Sequence, residues 1–242
     1  MMDIYIKFIY TLVVVVILAY IIKKKNYLDD IGVVVSTLMA FIILMGTDIK
    51  WLLIILSFLV LGSLVSRVEC SKKESMKLYE CRRSLKNVLA NGLVAILIVI
   101  MYIIGILDYN TALVGYVGAI AAATSDTFSS ELGVLSEETP ILITTFEKVE
   151  KGTNGGITLG GTVAGLIGGF LIGLLAALLF NNFYLVVVGT ISGILGNLSD
   201  SISGALFERK GLLNNEHVNF ICTIVGCISA VVIYWFLTLL SI

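Results

Sequence analysis

Residues 152 to 199 carry no charged side chain. In a helix rising 1.5 Å per residue, about 20 residues cross the hydrocarbon of a bilayer, so this stretch is long enough for two crossings. Asn181-Asn182 divides it into two predicted helices. A chain in lipid must satisfy its own backbone polar groups, which restricts it to helices or a closed barrel. The apolar runs here are continuous where a barrel strand would alternate, and that argues for helices. The chain is 58% hydrophobic and 14% charged, whereas soluble domains carry about 25% charged residues. The expected fold is therefore all-α, a polytopic transmembrane helical bundle.

The same ruler places spans near 4–22, 31–47, 50–66, 88–107, 110–126, 156–180, 183–205 and 217–240. Together they are read as one integral membrane domain over 1–242, with three N-terminal spans in 1–66 and a motif-bearing core in 80–240. The fifth span has 17 uncharged positions between Asp108 and Asp126 and is expected to be broken or to end below the lipid surface. No small-residue cleavage site precedes Lys23, Lys24 and Lys25, so the first run reads as a retained span. Eight spans put loops 23–30, 67–87, 127–155 and 206–216 on one side. Those loops hold every Lys and Arg except Lys7 and Lys50, an asymmetry that predicts a cytoplasmic location for them and outside termini. Cys70, Cys81, Cys222 and Cys227 have neither metal-ligand nor paired-framework spacing. In loop 67–87, Glu69 stands four residues before Lys73, which suits a helix lying at the interface.

One polar stretch, residues 123 to 161, interrupts this pattern with Asp126, Glu131, Glu147, Lys148 and a Gly152-Thr153-Asn154-Gly155-Gly156 turn. A charge near mid-membrane costs roughly 2.5–3.5 kcal/mol on insertion scales, so acids at the mouths of apolar helices suggest a site. Ser125-Asp126-Thr127 recurs as Ser199-Asp200-Ser201, and each is followed downstream by Glu-Lys-Gly or Glu-Arg-Lys-Gly. A parallel internal repeat would bring the two carboxylates together. Carboxylates among hydroxyls and amides suit Mg²⁺, which completes its shell with waters and substrate phosphates. Asp126 and Asp200 are the first candidate ligands. Glu131 is a third only if the helix ends near Ser129, since five residues on a helix put it off the face of Asp126. The competing reading has both aspartates capping helices or pairing with Arg82 or Arg83.

The glycine turn precedes span six, where converging N–H groups and a helix N-terminus can receive an anion, with Lys148 and Lys151 nearby. It is not a Walker A loop, because no Gly-Lys-Ser/Thr follows. Asn87, Asn91, Asn197, Asn214, Asn215 and Asn219 lie at the same ends of spans and could hold a base, ribose or phosphate, or bond across helices. His217 is the single histidine and lacks a partner pattern for base catalysis. The sequence shows no Ser-His-Asp set, zinc spacing or nucleic-acid patch. Gly161, Gly165, Gly169 and Gly173, at four-residue spacing, predict close helix packing.

The strings NVLANG (87–92), ATSDTFSSELG (123–133), LITTFEKVEKGTNGG (142–156), GNLSDSISG (196–204) and NNEHVNF (214–220) resemble the membrane family that includes plant phytyl-phosphate kinase and its bacterial, archaeal and animal relatives. The resemblance covers about residues 80 to 240. It implies Mg²⁺-dependent phosphoryl transfer from a nucleoside triphosphate, CTP above all, to an isoprenoid monophosphate within the lipid bilayer. The matching positions are Arg83, Asn91, Asp126, Thr127, Glu131, Gly152, Thr153, Gly155, Gly156, Asp200, Ser201, Asn215 and Asn219. Relatives carry proline where this chain has Glu150 and Lys151, which favours Lys148 over Lys151 as a phosphate contact. A cytidylyltransferase that forms a CDP-lipid and a lipid or small-molecule transporter are the alternatives that the same features allow.

Overall fold

The computed structural model describes residues 4–69, 73 and 85–240. Among these the chain forms eight α-helices: α1 (Ile4–Lys24), α2 (Asp30–Gly46), α3 (Ile49–Ser66), α4 (Leu85–Ile103), α5 (Tyr109–Gly133), α6 (Leu159–Phe180), α7 (Tyr184–Leu206) and α8 (Asn215–Leu240). Two short strands, β1 (Ile141–Leu142) and β2 (Gly156–Ile157), pair antiparallel between α5 and α6. A 3-10 turn, Glu208–Lys210, follows α7. Six of the helices are long and apolar enough to cross a membrane, and α2 is a shorter apolar helix of 17 residues. The architecture is the helical membrane bundle expected from the sequence.

The fifth helix departs from that expectation. It is unbroken for 25 residues and reaches Gly133, so Asp126 lies within it. Its small and hydroxyl-bearing residues make it too polar to read as a lipid-facing span. It does not face lipid: every residue from Ala112 to Ser125 is buried, against α3, α4, α6, α7 and α8. Small side chains are what allow neighbours so close. Gly165 of α6 shows the constraint, since a Cβ there would stand 2.7 Å from Asn197 Nδ2 of α7 and 3.1 Å from Ser125 O of α5. The glycine ladder of α6 thus draws α5 and α7 together just where each carries its aspartate.

The two ends of the bundle differ in kind. At one end Trp51 is fully buried among Tyr102, Tyr109, Tyr116 and Phe180, and the Tyr116 hydroxyl donates to Trp51 O at 2.9 Å. The opposite end is polar. There the Asp29 carboxylate accepts from Gly32 N at 2.6 Å and from Leu85 N at 3.2 Å, tying the N-termini of α2 and α4 together. α1 packs chiefly on α2 and leaves most of its apolar surface exposed, as a lipid-facing helix does.

Candidate active site

A cavity of about 430 Å³ opens at the polar end. α5 contributes Asp126, Thr127 and Glu131; α7 contributes Asp200 and Ser201; α4 contributes Asn87 and Asn91; α8 contributes Asn215 and Asn219. The turn from Gly152 to Gly156 closes one wall. These residues, scattered in sequence from Asn87 to Asn219, share one space. Arg83 lies outside the described residues.

The two aspartates meet at the floor. Their carboxylates act directly on each other, and Glu208 adds a further negative charge. Oδ2 of Asp200 is buried with no hydrogen-bond partner among the described residues. Leaving a buried acceptor unsatisfied costs about 1–3 kcal/mol, and more for a charged group. A hard divalent cation between the two acids would satisfy that oxygen, so the donor set fits Mg²⁺.

Glu131 does not join them. Among the described residues no group of three His, Cys, Asp or Glu side chains is spaced to hold a metal ion. Because α5 continues helical past Ser129, the five-residue offset turns Glu131 away from Asp126. It accepts instead from Ser66 Oγ at 2.8 Å and pairs with Lys73 Nζ at 2.7 Å. Lys73 is fully buried and also donates to Val65 O and Ser66 O. Glu131 thus stands outside the pair of aspartates, where a three-acid set was expected.

The glycine turn owes its shape to Gly152 (φ +82°) and Gly155 (φ +79°). A Cβ on Gly155 would also lie 2.6 Å from Ala205 N, so this residue seats the turn against α7. Two of the turn's amides bond internally, Thr153 N to Glu150 O and Gly156 N to Thr153 O. The α6 N-terminus is already capped. Thr158 Oγ1 accepts from Gly161 N at 3.0 Å, and the Glu138 carboxylate accepts from Leu159 N at 2.8 Å. The helix dipole expected to attract a phosphate therefore faces a protein carboxylate.

Lys148 also stands apart from the cavity. It lines an open neighbouring cleft with Glu137, Glu138, Lys151 and Arg209, across the wall formed by Pro140 and Thr153. The Lys151 ammonium is bound to Ser136 O. His217 takes part in a cap at the start of α8, its N–H donating to Asn214 Oδ1 at 2.9 Å.

Residues 13–227 match the family described as integral membrane protein DUF92. The chain belongs to that family. This DUF92 protein is 57% identical over 233 residues to the uncharacterized membrane protein MJ0933 of Methanocaldococcus jannaschii, covering 96% of this chain and 97% of the relative. It is 37% identical over 115 residues to Protein PGR of Arabidopsis thaliana, 42% of this chain and 40% of that one. With the chloroplastic Protein VTE6 of the same plant it shares 29% identity over 208 residues, covering 76% of this chain and 59% of the relative. No solved structure matches the DUF92 chain significantly.

Sequence reasoning missed Ser66, Ser130, Glu208 and Glu216 as cavity residues, and Lys73 beside them. Glu208 carried a signal, since it opens the Glu-Arg-Lys-Gly string that follows the second Ser-Asp copy. Lys73 carried none. Its partner lies 58 residues away, while its local spacing pointed to Glu69.

Proposed function

We propose that this protein is a membrane kinase that transfers the terminal phosphoryl group of a nucleoside triphosphate, CTP, to an isoprenoid monophosphate at the cytoplasmic face. An oxygen of the acceptor phosphate bonds to the γ-phosphorus as the bond to the β–γ bridging oxygen breaks. The products are CDP and the prenyl diphosphate. The acceptor is already an anion, so no strong general base is required, and catalysis consists of positioning and charge neutralisation.

The observation that carries this reading is the meeting of Asp126 and Asp200, with a buried Asp200 carboxylate oxygen that lacks a hydrogen-bond partner among the described residues. Asp126 and Asp200 would hold Mg²⁺, which when bound supplies neutralising charge to the phosphates. An acidic cavity repels phosphates, so the charge of a cation held by Asp126 and Asp200 would be needed there for the phosphates to bind. Thr127, Ser201 and Asn154 offer hydrogen bonds at the wall, and Asn87, Asn91, Asn215 and Asn219 present amides for orienting a nucleotide. The volume falls within the range of about 300–1,000 Å³ found for small-molecule sites. Beneath the acids, residues Ala119 to Ala123 are fully buried, and this packed floor favours an enzyme over a transport path.

The test uses purified protein, geranylgeranyl monophosphate and CTP labelled at the γ-phosphorus. Label in prenyl diphosphate supports the kinase. Label released as pyrophosphate would instead mean CDP-lipid formation, and intact CTP would leave neither enzyme reading standing.

A further inference from the structure

A second, apolar cleft with about 70 Å³ of free space lies among α1, α2, α3 and α4. Two hydroxyls in its wall, Ser36 and Thr37, donate back to Val33 O at 3.0 and 2.6 Å, so they offer little to a polar guest. The cleft and the polar cavity share two walls. On α3, Ser66 lines the cavity, while Leu59 and Leu52 line the cleft. These three are seven residues apart and lie on one face, a row roughly 20 Å long. On α4, Asn87 and Asn91 face the cavity, and the next residues, Val88 and Gly92, face the cleft.

We infer that the cleft receives the hydrocarbon tail of the lipid acceptor whose phosphate enters the polar cavity. The inference rests on the lipid-phosphate reading above, and the register of α3 and α4, each of which walls both spaces, supports it. The tail passes Ser66, follows Leu59 toward Leu52, and lies against Met39. A Cβ at Gly92 would stand 3.4 Å from Met39 Sδ, in ordinary contact, so the glycine leaves about a methyl's room beside Met39 and any larger side chain would fill the cleft there. Met39 is unbranched and deformable, which lets a narrow cleft widen around a chain. α1, held chiefly by α2, forms the outer wall through which a tail can enter from the bilayer.

The experiment pairs photo-crosslinking with kinetics. Geranylgeranyl monophosphate bearing a terminal diazirine is photolysed on the protein in phosphatidylglycerol nanodiscs, and adducts are mapped by mass spectrometry. Adducts on Met39 and Leu59, displaced by unlabelled geranylgeranyl monophosphate, are expected. In Gly92→Leu and Val88→Phe the ratio of kcat/KM for geranylgeranyl over dimethylallyl monophosphate should fall at least ten-fold. Adducts outside the cleft, or labelling that extra phosphatidylglycerol displaces equally well, would overturn the tail site even if turnover is seen. Competed adducts in the cleft without any turnover would uphold the tail site and overturn the kinase.

Discussion

Lys73 and Glu131 form an ion pair of 2.7 Å across the end of α3, joining the start of the 67–84 connection to the central helix. The ammonium is fully buried and the carboxylate partly so. Removing one member of such a pair leaves the other charge uncompensated, at a cost of about 3–5 kcal/mol. Lys73→Ala should therefore lower the thermal midpoint in detergent, while the double variant Lys73→Met/Glu131→Leu should recover most of the loss. A double variant destabilised by the sum of the two single variants would show that the pair contributes no coupling.

Asp126 and Asp200 are expected to behave differently from Glu131. Asp200→Asn removes a like charge and supplies an amide that can donate to Asp126, so the metal-free protein should gain about 1 kcal/mol. Turnover should nevertheless fall at least about 100-fold, as when one preorganised contact to developing charge is lost. Asp126→Asn should match it in activity. In Glu131→Gln the Mg²⁺ concentration giving half-maximal rate should stay within about three-fold of the parent, since Glu131 serves Lys73 and Ser66. A large rise in that concentration would return Glu131 to the metal set.

The contrast between Glu131 and Glu208 shows what sequence reading reaches. The helices of the bundle were readable because lipid demands continuous apolar runs, and Asp126 and Asp200 stood out as charges that lipid penalises. Their meeting followed from the repeated Ser-Asp string, and Glu208 opens the Glu-Arg-Lys-Gly string downstream of its second copy. The end of α5 was not readable, because a helix packed against five others over Ala112–Ser125 runs on through the half-buried Ser129 and Glu131 and the exposed Ser130, past the point where hydropathy would stop it. Nor was the role of Glu138, which closes the α6 N-terminus from 21 residues away. Long-range polar pairs leave no periodic trace, so Lys73 and Glu138 emerge only once the chain is folded.

Gly155 and Gly211 offer a matched comparison of the turn. Both have positive φ, +79° and +70°, but a Cβ meets the Ala205 backbone at the first and nothing within 4 Å at the second. Gly211→Ala should cost only the left-handed strain, about 1–2 kcal/mol, with KM for CTP unchanged. Gly155→Ala adds a backbone clash, so the turn must lift from α7 and KM for CTP should rise about ten-fold or more. Identical KM values for the two variants would remove the turn from nucleotide binding.

At the far end, Asp108 starts α5 by accepting from Asn110 N at 3.0 Å, Thr111 N at 3.1 Å and Thr111 Oγ1 at 2.6 Å. The hydroxyl of Thr111 and then its backbone amide hold this carboxyl below the usual range for an aspartate. The folded pKa is depressed relative to the unfolded one, so the stabilisation is fully present above the unfolded value and fades as pH falls through the folded value. Asp108→Ala should cost about 1 kcal/mol at neutral pH, as loss of a helix cap does. The gap in thermal midpoint between parent and variant should begin to narrow as the pH drops below about 4, the ordinary carboxylate range, and keep narrowing at lower pH. A gap that stayed constant from neutral to acid pH would mean that the ionised cap does not hold the central helix. Activity at neutral pH should survive the substitution, because the site lies at the other end of α5.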